Sequence, residues 1–414
     1  MRVTFGLALG LSLAACAPME RPVSYTPPEG VSYAYVTFDR TAVRASEAGG
    51  LADRRTGRAA TIDSPVRIAS VSKIVTALTV MRLVEQGKLD LDEDVSAKLG
   101  WSLRNPAFPD RLITLRMLLS HTSSVRDEGE IYVVRFGQKV QAAAQDVRSF
   151  DPDHAPGTFF RYSNLNFPIV GSLLEKVTGE RYDRLAKRLV LDPLGLDACF
   201  GWTTCSDAAI ARAVVLYDDD GSPLLDDLKG RRPDCPVFLA PGADCADLPR
   251  YELGTNGALF SPQGGLRISM RDLAVVGQML LNRGRHGGER FLSEASIAVM
   301  VRPQWQYDGS NGETDGGFYC AYGLSIQTLP VAADGCRDAL FGPGRRMIGH
   351  AGAAYRVRSG LWVDPESGEG IAFFSANNGQ EPPFGRTAYR AIEEWLAAKL
   401  KYPALSLGKL SRRD

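Results

Sequence analysis

Three short segments bring together residue types that can carry out acyl transfer. Ser70-Val71-Ser72-Lys73 spaces a hydroxyl and an amine three residues apart, and on a helix that spacing places both on one face. A serine hydroxyl needs a neighbouring base before it attacks a carbonyl, and a partly desolvated lysine can be that base or can tune another. On the first turn of a helix the dipole would also favour the oxyanion that develops during attack. Taken alone the motif is weak, since S-x-x-K occurs often by chance, and the bland reading, an N-capping serine beside a solvated lysine, outweighs the catalytic one. Tyr162 and Asn164, within Pro156-Gly157-Thr158-Phe159-Phe160-Arg161-Tyr162-Ser163-Asn164, stand two apart, where a tight turn would point both into one cleft. Gly349-His350-Ala351-Gly352 reads as a small-residue strand segment that a substrate backbone could approach closely.

These segments need elements to hold them. Ser32 to Phe38 is rich in aromatic and branched residues and predicts a strand, and Ala45 to Arg58 carries the glycine and charge punctuation of a hairpin. From Ser70 to Gln86 the apolar residues Ile74, Val75, Leu78, Met81 and Val84 recur with a helical period until Gly87, predicting a largely buried helix. Leu89 to Gly254 offers no strand of that quality, only helical patches at Thr114 to Ser120, Pro168 to Val177 and Arg181 to Val190 among long loops. Arg271 to Leu281 and Ser293 to Val301 read as helices. Gly360 to Val363 and Ile371 to Ala376 flank a Pro-Glu-Ser-Gly turn as a hairpin, and Arg386 to Leu400 as an amphipathic helix. Strands at both ends around a helical middle imply an α+β fold: residues 31–100 and 255–400 form an α/β sandwich, interrupted by a mostly helical insertion at 101–254.

In this order the motifs resemble the serine β-lactamase and penicillin-binding protein superfamily, in its class C-like branch, whose members carry S-x-x-K, then Y-x-N, then K-T-G or H-x-G. Leu118-Leu119-Ser120-His121-Thr122-Ser123-Ser124 is similar to that family's L-L-x-H-T-S-G. Asp192-Pro193-Leu194-Gly195-Leu196 and Ser261-Pro262-Gln263-Gly264-Gly265-Leu266 match further segments, so the resemblance covers roughly residues 30 to 400. It implies a β-lactamase/transpeptidase-like fold, an antiparallel sheet flanked by helices, and an acyl-enzyme hydrolase that needs no cofactor or metal. Ser70 would be the acylated nucleophile and Lys73 its amine partner. Tyr162 would be the general base as a phenolate, its pKa drawn down by Lys73 and His350. Asn164 would bind the substrate amide, and the N–H groups of Ser70 and Ala353 would form the oxyanion hole beside Gly352. His350 would donate to a substrate carboxylate or to Tyr162, while His121 is expected to cap helix carbonyls.

Departures from the pattern narrow the expectation. Ser124 replaces the family's glycine, and Ala353-Ala354-Tyr355-Arg356-Val357-Arg358 follows H-A-G. A bulky Tyr355 with Arg356 and Arg358 at the mouth would favour an anionic acyl group. His350 in place of lysine favours a peptidase or esterase over a dedicated β-lactamase. The contrasting reading is a non-catalytic envelope lipoprotein that binds peptidoglycan stems with the same fold.

The ends and the cysteines speak to location. Arg2, the apolar run Val3 to Ala15 and Leu13-Ala14-Ala15-Cys16 resemble a signal peptide over 1–15 closed by a bacterial lipobox. Lipidated Cys16 would then hold the protein on a membrane, and Ala17 after it points to the outer membrane. Residues 16–30 form a proline-bearing tether and 401–414 a tail. Six cysteines remain in three local pairs, Cys199 with Cys205, Cys235 with Cys245 and Cys320 with Cys336, and loop-stapling disulfides fit these spacings better than zinc ligation. Basic and acidic residues both number 48, so a nucleic-acid partner is not expected; a small-molecule or peptide substrate is. Nothing in the sequence speaks to oligomeric state.

Overall fold

Strands from both ends of the chain meet in one antiparallel sheet. The computed structural model describes residues 25–400; the signal segment, Cys16 and the tail 401–414 lie outside the described residues. The elements that frame the site are β1 (Ser32–Asp39), β2 (Val43–Gly49), β3 (Val66–Arg67), α1 (Ser72–Glu85), α2 (Leu115–Leu119) and α3 (Asn166–Thr178). After them come β4 (Cys199–Phe200), β5 (Leu266–Ile268), α4 (Met270–Leu281), β6 (Trp305–Gln306), β7 (Ala321–Tyr322) and β8 (Gln327–Leu329). β9 (Met347–Ala354), β10 (Val357–Asp364), β11 (Glu369–Ala376) and α5 (Ala391–Ala397) complete the set. The large sheet runs β6-β7-β8-β9-β10-β11-β1-β2, and the β1–β11 register from Ser32↔Ala376 to Asp39↔Glu369 joins the two ends.

Period-two alternation explains how the sheet buries both faces. Ala34, Val36 and Phe38 of β1, Leu361 and Val363 of β10, and Ala372 and Phe374 of β11 enter the main core with α1 and α4. Tyr35, Trp362, Ile371 and Phe373 face the other way and pack with Ile392 and Leu396 of α5. On α4, Gly277 has no room for a Cβ, because Phe38 and Leu361 pack onto its backbone. Helix α1 is buried on nearly every side, as its continuous apolar run predicts.

Some boundaries differ from the sequence reading. Within 45–58 the chain does not fold back once: β2 returns to pair with β1, and only Leu51–Asp53 and Arg58–Ala59 form the hairpin. The C-terminal helix begins at Ala391, where Glu394 accepts from the backbone and hydroxyl of Thr387 and Glu393 Oε2 reaches back to accept from Arg390 N–H at 3.0 Å. The segment 101–254 is mostly loop. Its helices are short apart from α3, its aromatic and apolar side chains join the main core, and its β4 pairs with β5 in a three-stranded sheet that also holds β3. Three disulfides, Cys199–Cys205, Cys235–Cys245 and Cys320–Cys336, join the expected partners. No helix among the described residues is long and apolar enough to cross a membrane.

Candidate active site

Ser70 sits on a tight 3-10 turn, Ala69–Val71, that leads into α1. Ala69 holds the left-handed φ of +46°, a strained backbone for a residue with a Cβ. The turn is fixed from three sides. Ser72 Oγ donates to the Ala69 carbonyl at 2.6 Å and accepts from Leu266 N–H at 3.1 Å, while Ser359 Oγ donates to the Ile68 carbonyl at 2.7 Å. Gly352 completes the clamp: a Cβ there would lie 2.4 Å from both the Ile68 carbonyl oxygen and Ser359 Oγ. The glycine of the H-x-G segment therefore admits the nucleophile's own turn, a close approach that its sequence does not announce.

Lys73 is fully buried, and its Nζ has three polar neighbours. They are Ser70 Oγ at 3.2 Å, Asn164 Oδ1 at 3.0 Å and the Gln263 carbonyl oxygen at 2.9 Å. Desolvation pushes its pKa down to about 7, against the opposing pull of Asp127. Asp127 also fixes the Y-x-N turn, accepting from Ser163 Oγ, Asn164 N–H, Asn164 Nδ2 and Leu165 N–H at 2.8 to 3.0 Å. Because a carboxylate only accepts, Asn164 must turn its amide nitrogen to Asp127 and its Oδ1 to Lys73. Neither Asp127 nor Gln263 is among the residues singled out from sequence as chemical. Gln263 falls inside a quoted family segment, whereas nothing in the spacing around Asp127 marks it.

Tyr162 differs from expectation. Its ring stacks between His121, at 4.3 Å, and Tyr319, at 4.6 Å, and Lys73 Nζ lies 4.9 Å from its centroid. Burial raises its pKa above the ordinary phenol value, outweighing the nearby Ser70 and Tyr319 hydroxyls, so the depressed phenolate pKa read from sequence is overturned. The hydroxyl itself has no hydrogen-bond partner of normal geometry.

The histidines are also placed differently. Nδ1 of His350 reaches the Ala351 carbonyl, which only accepts, and Nε2 lies 2.7 Å from the Tyr322 hydroxyl. Burial pulls its pKa down to about 3, so the ring is neutral, and with its one N–H donated from Nδ1 to the Ala351 carbonyl its Nε2 accepts from Tyr322. It donates neither to Tyr162 nor into the cleft, contrary to the sequence expectation, because both nitrogens are taken. His121 caps no carbonyl: its Nδ1 accepts from Ser163 N–H at 3.0 Å.

Ser70, Tyr162, Asn164, Gly352 and Ala353 all line one cavity of about 1200 Å³, so the structure brings these expected site residues together. Arg358 lines it too. Arg356 instead turns away to pair with Asp218 and Asp219. Among the described residues no group of three His, Cys, Asp or Glu side chains could hold a metal ion.

The family model Beta-lactamase matches residues 29–394. The chain belongs to the β-lactamase family. It is 28% identical to penicillin-binding protein 4 of Amycolatopsis lactamdurans over 254 residues, 61% of this chain and 60% of that protein. It is 35% identical to esterase EstB of Burkholderia gladioli over 176 residues, 37% of this chain and 42% of that protein. The chain thus spans about half the length of these curated relatives. Among solved structures, a class C β-lactamase from Rhodobacter sphaeroides superposes with a TM-score of 0.63 at 18% identity, covering 89% of this chain and 95% of that one. The D-amino acid amidase from Ochrobactrum anthropi SV3 gives 0.62 at 18%, covering 89% and 92%. These likenesses bear out the β-lactamase/transpeptidase-like fold.

Proposed function

We propose that this β-lactamase-family protein is a serine acyl hydrolase that cleaves amide or ester bonds of small molecules or peptides through an acyl-enzyme on Ser70. The hydrogen bonding of Lys73 carries the reading. A neutral amine has two N–H groups and one lone pair; Asn164 Oδ1 and the Gln263 carbonyl are acceptors that take the two N–H groups, leaving the lone pair for the Ser70 hydroxyl. With a pKa near 7, a large fraction of Lys73 is neutral at neutral pH, as a general base requires.

Lys73 takes the proton as Ser70 Oγ bonds to the substrate carbonyl carbon, and the N–H groups of Ser70 and Ala353 receive the oxyanion. The C–N or C–O bond then breaks, and the leaving group recovers a proton from Lys73 with the neutral Tyr162 hydroxyl as donor in between. Water hydrolyses the ester by the same groups in reverse. Peptidase or esterase chemistry is favoured over a dedicated β-lactamase, because His350 offers no cation to a substrate at the H-A-G position. The relatives named penicillin-binding protein, esterase and amidase support that range.

The intact Ser70–Lys73 pair beside a cavity weighs against a purely binding role. The same proposal places the protein in the bacterial envelope, as a lipoprotein held on the outer membrane through Cys16; the lipobox-like Leu13-Ala14-Ala15-Cys16 supports the anchor, and the three disulfides suit an oxidising compartment. Labelling with a fluorophosphonate and with a fluorescent penicillin, followed by mass mapping, tests the chemistry: one probe should modify Ser70 and neither should label Ser70→Ala. A wild-type protein inert to both would defeat the reading. Metabolic labelling with a palmitate analogue, lost in Cys16→Ala, tests the anchor.

A further inference from the structure

The small three-stranded sheet beside the nucleophile carries an unbalanced charge. Arg67, three residues before Ser70, stands directly opposite Arg267 of β5 in the register, and both are buried. Like charges facing each other across a ladder are destabilising, and one carboxylate is at hand. Asp226 accepts from Nε and Nη2 of Arg267 at 3.2 and 2.9 Å and from Trp202 Nε1 at 2.7 Å. It is committed to Arg267. Arg67 donates from Nε to the Gly264 carbonyl at 2.9 Å, and among the described residues no carboxylate pairs with it.

The rest of Arg67 is presented to the cavity that Ser70 lines. Its guanidinium lies 4.6 Å from the centroid of the Tyr355 ring, a stack that leaves the Nη1/Nη2 fork free for a planar anion. The hairpin turn that supplies Tyr355 is fixed in place. Tyr355 and Arg356 both adopt left-handed φ, +50° and +62°, and Asn378 donates to the Arg356 carbonyl from its N–H at 3.2 Å and its Nδ2 at 2.9 Å. Burial and Arg267 lower the pKa of Arg67 only to about 10, so it stays charged at neutral pH.

We propose that Arg67 is a specificity-determining residue whose Nη1/Nη2 fork binds a carboxylate of the substrate, the second anion that the Arg67–Arg267–Asp226 cluster lacks. The preferred substrate is then an ester or amide carrying a carboxylate. This rests on Ser70 acting as the acylated nucleophile.

The test compares kcat/KM for matched neutral and anionic esters: 4-nitrophenyl hexanoate against mono-4-nitrophenyl adipate, with the carboxylate on the acyl side, and phenyl acetate against 3-carboxyphenyl acetate, with it on the leaving side. The wild type should favour the anionic member of one pair by roughly 10- to 100-fold, the span of a charge-assisted hydrogen bond, and the pair that shows it names the side. Arg67→Gln should bring that ratio close to 1, and Tyr355→Leu should lower it partly. Should Arg67→Gln fail to fold, Arg67→Lys, which keeps the charge without the fork, must still lower the ratio. No anionic preference in the wild type, or a preference that survives in these Arg67 variants, would overturn the proposal. Hydrolysis of neutral esters without preference defeats this inference alone, whereas a protein inert to all four esters and to Ser70-directed probes defeats the hydrolase reading beneath it.

Discussion

Two buried bases lie near the Tyr162 ring, Lys73 on the helix side and His350 on the strand side, and burial depresses both. The pKa falls to about 7 for Lys73 and to about 3 for His350. What separates them is the partner met by the lone pair. On Lys73 two carbonyl oxygens absorb the N–H groups and the remaining neighbour is the Ser70 hydroxyl. On His350 the backbone takes Nδ1 and Tyr322 takes Nε2. Desolvation makes a neutral base; geometry alone decides whether that base has a substrate-side proton to take.

The sharpest way to break this comparison is at the helix side. Ser70→Ala should lower kcat by roughly 10⁴-fold or more, and Lys73→Met nearly as much, while the double variant costs little beyond either because the pair acts as a unit. Steady-state turnover of an activated ester measures all three, and a Ser70→Ala variant retaining more than a few per cent activity would dissolve the assignment. The wild-type kcat/KM should rise with pH through about 7 as Lys73 loses its proton: a raised pH removes the buried ammonium and supplies the lone pair.

Tyr162→Phe sharpens the contrast, since it keeps the ring between His121 and Tyr319 and removes only the hydroxyl. The expected cost is about 10²-fold, the low end for general acid–base catalysis, with the acid limb still near pH 7. Loss of that limb in Tyr162→Phe would restore the phenolate as base. Asp127→Asn should cost less, roughly 10-fold for a disturbed charge-assisted network. It should also move the limb to lower pH, because the Asp127 charge raises the Lys73 pKa; a limb that stays or moves upward would show that Asp127 does not act on Lys73.

The same contrast explains what could be read from the sequence. Ser70 and Lys73 are neighbours by helical spacing, and it is their order with the later motifs that marks them as nucleophile and amine; composition and turn signals show β1, β10 and β11, whereas the two- and three-residue strands β6, β7 and β8 are too short to leave a pattern. The middle of the chain was harder to read: its apolar residues fill a core shared with α1 and α4, and burial without helical period left mostly loop where helix was expected. Tertiary facts stayed hidden for a similar reason. No spacing announces that Asp127 will gather the Tyr162–Asn164 turn, that Arg67 will face Arg267, or that Gly352 will receive the nucleophile's turn. The tyrosine pKa went astray because proximity to a lysine was weighed without the burial of the ring.

His350→Gln is the smallest expected effect on rate and the most informative about the strand side. If His350 were a donor to substrate or to Tyr162, the variant would lose most of its kcat/KM and a histidine titration would shape the pH profile. Because the neutral ring is closed off by Tyr322 and the Ala351 carbonyl, kcat/KM should instead change by less than about 10-fold, the loss of a single neutral hydrogen bond at most, and the acid limb should stay with Lys73. The cost should fall on stability, on the order of 1 to 3 kcal/mol, wherever the glutamine leaves the buried Tyr322 hydroxyl unpaired. Thermal unfolding alongside the pH profile separates the two: a large rate loss with unchanged stability would return His350 to the chemistry and erase the asymmetry between the two sides of the cleft.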